Sequence, residues 1–204
     1  MAIRIPAVPA QSLDALRSQL PSFANRSAMT SVAPRLAASL TSERAAAATP
    51  VLSYPVYTLG LSDIADAADR LSTAKPSLWR HILSFDGQLV TADTLADASG
   101  DKLAALNINP PAAAVQAAIH TLSQDAAIAA ASYEAGLLQI PALGVRAVWL
   151  HDSTEKSPDV LVPVAPVRSE LVAGRQYTVA EFAAALKGAA TRALANDDPR
   201  KGAA

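Results

Sequence analysis

Cysteine is absent from this chain of 204 residues. Its absence excludes disulfide bonds, cysteine-ligated zinc, thiol nucleophiles and iron–sulfur clusters, because each of them needs a thiol or thiolate. Aromatic side chains are also scarce, at 4% of the residues, whereas alanine makes up about a quarter of the chain. Alanine buries much less apolar area than leucine does, so a core must depend on leucine, valine and isoleucine, supplemented by close helix packing or partner contacts.

Long apolar runs and glycine-rich motifs are missing as well. Every apolar stretch falls short of the roughly 20 residues that a membrane span needs, and Pro6 and Pro9 interrupt the start, where a secretory signal would need an apolar core. The 8 glycines are widely separated, so the chain has no phosphate loop, dinucleotide fingerprint or nucleophile elbow. We expect a cytoplasmic protein without a membrane span, a cofactor or a metal.

Charge is nearly balanced overall, at −1, but it is unevenly distributed along the chain. The first 50 residues carry five arginines against two acidic residues, whereas residues 61–134 carry nine acidic residues against four basic ones. A basic arm and an acidic body predict attraction, within one subunit or between neighbours. The arginines stand singly and without interleaved aromatics, which predicts that the protein does not bind nucleic acid. Abundant alanine, with more arginine than lysine, is typical of a GC-rich bacterium.

The patterns predict helices in the first half of the chain. Residues 1–11 are predicted to be extended, and Ser12 can cap a helix that Pro21 ends. Further helices are predicted over about 31–48, after Ser62, over about 76–83, over about 91–98 and after the proline pair 110–111. A strand is predicted over 51–59, where Pro55 restricts it to an edge or a bulge, and another over 88–91 after the turn signal Asp86-Gly87.

The C-terminal part predicts a hairpin followed by a helix. Apolar strands over about 137–150 and 160–164 flank a charged turn, and Thr178 and Glu181 form a capping-box pattern. The expected fold is α+β, with a helical N-terminal arm, a helix-rich centre and a small antiparallel sheet, the hairpin at about 137–165, packed by the C-terminal helix. The expected domains are an arm over 1–50, one α+β domain over 51–195 and a disordered tail over 196–204.

Three histidines could support acid–base or metal chemistry, namely His81, His120 and His151. None has a second histidine one helical turn away, which argues against zinc. His120 with Asp125, or His151 with Asp152 and Glu155, could orient an imidazole, with Ser123 or Ser153 as the nucleophile, although neighbours in sequence rarely reach that geometry. The pairs Asp63 and Asp66, and Asp93 and Asp97, are explained as helix caps and solvated faces.

No constellation defines a catalytic, cofactor-binding or metal site, so the function has to be inferred from gross features. The leading hypothesis is a non-enzymatic bacterial interaction or assembly module that acts through its N-terminal arm and an exposed sheet edge, with a protein partner or a second copy. The alternative is a small hydrolase or ligand-binding enzyme that uses His120 or His151 with carboxylates in a cleft. The candidate interaction residues are Arg4, Arg17, Arg26, Tyr54, Tyr57, Trp79 and Trp149, although each tryptophan is more often a core residue.

Overall fold

The structure, a computed structural model, describes residues 3–29, 41–64, 67–85, 87–97, 100–108, 110–152, 154, 156–167 and 170–196. The chain divides into two compact units. Unit one comprises residues 1–5, 56–76 and 117–204, and unit two comprises residues 6–55 and 77–116.

Helices and strands alternate irregularly along the described residues. The helices are α1 (Ala10–Met29), α2 (Ser42–Ala46), α3 (Ala67–Ser72), α4 (Pro110–Ser123), α5 (Ala126–Ala130) and α6 (Val179–Asn196). The strands are β1 (Leu52–Thr58), β2 (Leu78–Phe85), β3 (Gln88–Asp97), β4 (Gly100–Ile108), β5 (Tyr133–Ile140), β6 (Val145–Asp152), β7 (Val160–Pro163) and β8 (Tyr177–Thr178). Short 3₁₀ turns cover Ser62–Ile64 and Pro141–Leu143.

The strands form a mixed sheet, which corrects the expected fold class. Their order is β4-β3-β2-β1-β5-β6-β7-β8, eight strands within the described residues. Strand β1 pairs with β5 in parallel, whereas β5 with β6, β6 with β7 and β2 with β3 are antiparallel. The expectation of a small antiparallel sheet beside a helix-rich centre is therefore wrong. The centre of the chain supplies strands because β2 with β3, and β3 with β4, pair in long antiparallel ladders with two residues between their ends, which the helix-period interpretation overlooked.

Residues 78–83 and 91–98 were expected to be helical, but the described parts of both segments are strands. Phe85 pairs with Gln88 across a two-residue connection, and Gly87 has a φ of 77°. Asp-Gly between apolar runs is a strong hairpin signal, because glycine accepts a positive φ without a steric penalty. Apolar positions in such short segments fit the helix and strand periods alike, so the turn and the long antiparallel ladder decide the outcome.

Strand β1 lies inside the strand order and not at an edge, which corrects the interpretation of Pro55. Its pairing with β5 begins with Val56 opposite Leu137, one residue after the proline. Pro55, which has no N–H, therefore lies just before the first pair of this ladder and interrupts none of its pairs.

In unit two, helix α1 packs against the strands with one apolar face. Leu16 and Leu20 of α1 are buried in one cluster with Leu83, Val90 and Leu103. The helix continues through Pro21, where the sequence predicts its end. Burial of each leucine contributes about 1.5–3 kcal/mol to stability. The two leucines together offset the roughly 3 kcal/mol that a proline inside a helix costs.

Helix α1 is also attached to strand β4 by a side chain. Gln19 accepts a hydrogen bond from the backbone N of Leu103 (3.1 Å), next to a register shift between β3 and β4. The first helix of the expected arm thus belongs to the core of unit two. The expected division at residue 50 stays a prediction about independent folding, and the expected tail lies outside the described residues beyond Asn196.

Unit one buries both faces of strands β5 and β6. Leu138 and Trp149 pack on one face with Phe182 and Leu186 of α6, and Leu137, Val148 and Leu150, which alternate with them, are buried on the other. Helix α6 begins with the capping box that the sequence predicts. The backbone N of Thr178 donates to Glu181 Oε2 (2.9 Å), and the backbone N of Glu181 donates to Thr178 Oγ1 (3.2 Å).

Candidate functional site

Strand β5 has two different neighbours along one of its sides. Strand β1 pairs with residues 137–139. Next to the preceding residues of β5 lies the N-terminal segment Ile3–Ile5, through a parallel bridge between Arg4 and Glu134. The backbone N of Arg4 donates to the carbonyl of Tyr133 (2.9 Å), and the backbone N of Ala135 donates to the carbonyl of Arg4 (2.8 Å). We name this stretch of β5, residues 133–135, the acceptor slot.

An exposed ion pair adds to the two backbone bonds of the acceptor slot. Arg4 Nη2 lies 2.5 Å from Glu134 Oε1, with side chains 65% and 29% exposed. Because side chains alternate along an extended segment, Ile3 and Ile5 point to the opposite face, where both are half-buried. The slot thus contacts an apolar–basic–apolar segment through its backbone and one ion pair, and the two apolar side chains of that segment are half-buried.

Beside Glu134, strand β6 carries a histidine that a carboxylate holds. His151 is the register partner of Glu134 on β6. Its Nδ1 lies 2.9 Å from Asp159 Oδ1, and the other oxygen of Asp159 accepts a hydrogen bond from Trp149 Nε1 (2.8 Å). The side chains of His151 and Asp159 are 41% and 19% exposed. The carboxylate therefore fixes the orientation of an imidazole that solvent can reach.

Two aromatic rings pack beside the imidazole of His151. The ring of Tyr57 meets that of Trp149 edge to face, with centroids 4.6 Å apart, and the centroids of Trp149 and His151 lie 5.4 Å apart. Gly136 is the register partner of Trp149, so no side chain stands opposite the indole on β5. Burial, with a contribution from the negative charge of Glu134, raises the pKa of the Tyr57 hydroxyl.

Asp152, the expected partner of His151, has a different role. Side chains alternate along β6, so Asp152 points to the face opposite His151, where its carboxylate binds the hydroxyl and backbone N of Thr154 and the backbone N of Ser157. These hydrogen bonds, the Thr154 hydroxyl foremost, lower the pKa of Asp152 to about 2. Asp152 thus shapes the turn after β6. Ser153 and Glu155, also named with His151, lie outside the described residues.

The second histidine–carboxylate pair expected from the sequence does not meet through its side chains. His120 is exposed near the end of α4, and its carbonyl accepts a hydrogen bond from Ser123 Oγ (2.6 Å). Asp125 caps α5 by accepting from the backbone N of Ala127 (2.9 Å), and its other oxygen accepts from Gln176 (2.9 Å). Those hydrogen bonds lower the pKa of Asp125, the bond from Gln176 contributing most.

The structure therefore brings together three of the seven candidate interaction residues, Arg4, Tyr57 and Trp149, around the acceptor slot and its histidine. The other four lie in unit two. Arg17 is exposed on α1, Tyr54 is buried in β1, and Trp79 is half-buried in β2. The side chain of Arg26 lies outside the described residues.

The carboxylate pairs expected to be caps have mixed outcomes. Asp63 accepts from the backbone N of Gly60 (2.9 Å) and lies 3.3 Å from Arg70 Nε, in line with a turn-capping role. Asp93 instead lies in the middle of β3, where it forms a two-bond ion pair with Arg80 at 2.7 Å for each bond. Asp66 and the side chain of Asp97 lie outside the described residues.

His81 of β2 is fully buried in unit two among three hydroxyl groups. Its Nε2 lies 3.1 Å from Ser12 Oγ and 3.0 Å from Thr94 Oγ1, and its Nδ1 lies 2.9 Å from Ser53 Oγ. A further hydrogen bond joins Ser12 to Thr94. Burial lowers the pKa of His81 to about 4, against a smaller opposing effect of Asp93. A neutral, enclosed imidazole links α1 to the strands and is not positioned to meet a ligand.

Sequence reasoning missed Glu134 and Asp159 as partners within the site. Glu134 was counted only as part of the acidic body, and Asp159 only as the end of a turn. One signal for Asp159 was present, because its position just before the apolar strand at 160 places it across a hairpin from Trp149 and His151. The contact of Glu134 with Arg4 spans 130 residues, and no local pattern announces it.

Other candidate chemistry is limited in the part of the chain that the structure covers. There, no group of three or more histidine or carboxylate side chains is arranged to hold a metal ion. None of the described helices is long and apolar enough to cross a membrane. Comparison of the chain with protein-family models, with curated proteins and with solved structures finds no match.

Proposed function

We propose that the chain is a protein-interaction module whose acceptor slot on β5 takes up an extended segment, and that residues 3–5 are its resident occupant. One observation carries this proposal: a short N-terminal segment is added to β5 in parallel, beside the residues that β1 pairs with. Addition of an extended segment to the side of a strand is a common mode of peptide recognition, in which backbone bonds supply affinity and alternate side chains supply specificity.

The character of the resident contact supports an exchangeable occupant. Two backbone hydrogen bonds contribute a net of about 0.5–1.5 kcal/mol each, an exposed ion pair such as Arg4 with Glu134 contributes about 0.2–1 kcal/mol, and the half-buried Ile3 and Ile5 add apolar contact. The Arg4 side chain is 65% exposed, and segments with exposed contacts open locally more often than the core does. We infer that a competing segment reaches the slot by such local opening, without unfolding of the unit.

A disulfide lock tests this proposal in the full chain, since the native sequence has no cysteine. In the parallel register, Ile5 lies beside Ala135, at a spacing of the kind that a disulfide bridges. The double variant Ile5→Cys with Ala135→Cys closes the slot when oxidised and opens it when reduced, and it leaves Arg4 and Glu134 intact. The probe is a labelled peptide of residues 1–8, followed by fluorescence anisotropy.

We expect the reduced variant and the native chain to bind the peptide, and the oxidised variant to bind it at least about tenfold more weakly. The matched control is the same peptide with Arg4→Glu, which places a like charge against Glu134 and should bind worse to every form. Equal binding to the oxidised and reduced forms would show that the peptide does not use the slot and would remove the proposal.

A second candidate function is supported by the geometry of His151. Asp159 lies on Nδ1 of His151 and accepts a further hydrogen bond from Trp149. A carboxylate on Nδ1 is the arrangement that orients a general base in many hydrolases. The contact of Nδ1 with Asp159 favours the tautomer in which Nδ1 carries the hydrogen and Nε2 can accept a proton. Among the described residues no hydrogen bond to Nε2 is formed. This candidate is an acid–base enzyme in which His151 activates water and Asp159 positions the imidazole.

The enzymatic candidate is tested by assaying ester and amide hydrolysis with the native chain, His151→Gln and Asp159→Asn. We expect the first variant to lose any such activity by about 100-fold or more, in line with the usual contribution of a general base. His120→Gln is the matched control, because that histidine is exposed and has no carboxylate partner among the described side chains. Activity that survives His151→Gln unchanged would exclude this site.

A further inference from the structure

Four polar side chains of unit one form a row across neighbouring strands. Arg4 is the bridge partner of Glu134, and Glu134 is the register partner of His151. On the other side of the imidazole, Nδ1 lies 2.9 Å from Asp159 Oδ1. Residues that are paired across strands have their side chains on one face of the sheet, so the row runs cation, carboxylate, imidazole, carboxylate. Histidine is the side-chain type whose charge ordinarily changes between about pH 5 and 8.

The other titratable groups near His151 are of types that keep their charge over that range. Carboxyl groups ordinarily titrate near about pH 4, and lysine, present as the exposed Lys156 in the turn after β6, stays protonated. Burial, with a contribution from Glu134, raises the pKa of the Tyr57 hydroxyl, so this group stays neutral. Asp152, the next residue of β6, points to the opposite face. A change of charge in the row near neutral pH is therefore expected from His151.

Protonation gives the imidazole of His151 a second donor. Nδ1 contacts Asp159, and among the described residues no hydrogen bond to Nε2 is formed. An imidazolium donates from both nitrogens, and the carboxylate on its other side in the row is that of Glu134, whose Cβ lies about 4.5–5.5 Å away as in any directly opposed pair. Glu134 is also the partner of the Arg4 guanidinium. The imidazolium therefore competes with Arg4 for Glu134 and adds a second positive charge near the guanidinium.

The backbone bonds of the acceptor slot do not discriminate between occupants. Arg4 makes its two bonds with Tyr133 and Ala135 through its own N–H and carbonyl, and every residue except proline has both groups. The central side chain is therefore the part of an occupant that responds to the charge of the row.

We propose that His151 determines which charge the acceptor slot accepts. The neutral imidazole leaves Glu134 to a basic segment such as residues 3–5, and the imidazolium releases that segment in favour of an extended segment of a partner protein with an uncharged central side chain. This inference rests on the proposed function and names its regulation. A second copy of this chain brings the same Arg4 and gains nothing from protonation, so the occupant favoured by acid is a different protein.

The test measures the binding of two labelled peptides to the full chain near the two limits of the imidazole range, at about pH 8 and about pH 5.5. The basic peptide has the sequence of residues 1–8, and the neutral peptide is the same with Arg4→Gln. We expect the neutral peptide to bind the native chain about 2- to 5-fold more tightly at the lower pH, the range that one exposed ion pair supplies. The reason is that its competitor, the resident segment, is weakened while the peptide is not. The basic peptide should change little, because peptide and resident segment lose the same contact.

The direction of the effect should reverse when the resident segment is made neutral. To the full chain with Arg4→Gln, we expect the basic peptide to bind about 2- to 5-fold more weakly at the lower pH, and the neutral peptide to bind equally at both. A general effect of acid on the protein changes the binding of both peptides in the same direction. Opposite directions in the two chains therefore identify the ion pair as the cause.

Two variants with a fixed charge at position 151 supply the matched controls. His151→Gln stays neutral, so neither peptide should show a pH dependence. His151→Lys carries a cation at both pH values, so it should bind the neutral peptide at the higher pH as tightly as the native chain does at the lower one. Each variant tests the proposal alone, should the other fail to fold.

The outcomes separate this inference from the proposed function. If the disulfide lock abolishes binding but the affinities do not depend on pH, the slot is an acceptor and the inference fails. If the same pH dependence persists in His151→Gln, another group causes it, and the inference also fails. If neither peptide binds, or the lock has no effect, the proposed function fails as well.

Discussion

His81 and His151 are the same side chain in opposite surroundings, one in each unit. His81 is fully buried among Ser12, Ser53 and Thr94, and its pKa is lowered to about 4. His151 is part-exposed, and its partner is the carboxylate of Asp159. Hydroxyl partners in a dry setting keep an imidazole neutral and make it a structural link, whereas a carboxylate partner at the surface orients an imidazole toward solvent.

The two ion pairs differ in the same way. Arg80 and Asp93 of unit two are 12% and 7% exposed and share two short bonds, whereas Arg4 and Glu134 of unit one are 65% and 29% exposed. A buried pair that loses one partner leaves an uncompensated charge, but an exposed pair leaves a hydrated one. Unit two therefore uses its polar groups to hold the fold, and unit one presents its polar groups near the acceptor slot.

The largest effect is expected where the buried pair is broken. Asp93→Asn leaves the Arg80 guanidinium charged without its carboxylate, and we expect the free energy of unfolding to fall by about 3–5 kcal/mol. Urea unfolding followed by circular dichroism measures it. The matched control is Glu134→Gln, which breaks the exposed pair. If both variants lose the same stability, the contrast between the two pairs is wrong.

The intermediate effect is the pH dependence contributed by His81. The pKa of its imidazole is 6.5 ordinarily and about 4 when folded, so between these values the unfolded chain binds a proton that the folded chain does not. The contribution of His81 to the free energy of unfolding is thus complete above pH 6.5. As the pH falls, the free energy of unfolding decreases, by about 3 kcal/mol at pH 4.

Urea unfolding at several pH values, compared with the same series for His81→Gln, isolates this contribution, because carboxylates titrate in both chains. Should that variant fail to fold, the imidazole resonances of the native chain can be followed by NMR through the same range. A His81 resonance that titrates near 6.5 would contradict the buried, neutral state described above.

The smallest effect is expected at the acceptor slot. Arg4→Ala removes an exposed ion pair and leaves both backbone bonds, so we expect the free energy of unfolding to change by less than about 1 kcal/mol. Hydrogen exchange of the Ala135 amide should nevertheless quicken several-fold, because this amide is protected by the carbonyl of Arg4. Unchanged exchange would show that the ion pair does not hold the segment in place.

Part of the fold was predictable from the sequence because its signals are local. The Thr178 and Glu181 capping box forms as the pattern predicts, since both partners lie within one helical turn. The Asp86-Gly87 dipeptide was identified as a turn, but its consequence, a hairpin of β2 with β3, was missed. Helix and strand periods fit residues 78–83 equally well, so the neighbouring turn should have decided between them.

The candidate site was predictable only in its composition. Arg4, Tyr57, Trp149 and His151 were each named as candidates, but the expected partner of His151 was its neighbour Asp152, and the contact is with Asp159. Alternation along a strand sends adjacent residues to opposite faces, and pairing across the hairpin returns a residue eight positions away to the same face. The contact of His151 with Asp159 could therefore be predicted only from the pairing of β6 with β7, and not from the strand that contains His151 alone.

The sequence by itself determined the capping box of Thr178 and Glu181 and the exclusion of every thiol-based chemistry. The apolar run predicted as one strand over about 137–150 is instead β5 and β6, which pair with each other across the 3₁₀ turn Pro141–Leu143. Only the tertiary structure decided that β1 lies beside β5 in parallel, that α1 continues through Pro21, and that Arg4 reaches Glu134. The physical reason is range. Caps and turns are settled by sterics and hydrogen bonds within a few residues, whereas the choice of neighbouring strands depends on how distant apolar faces are buried together, to which every part of the chain contributes.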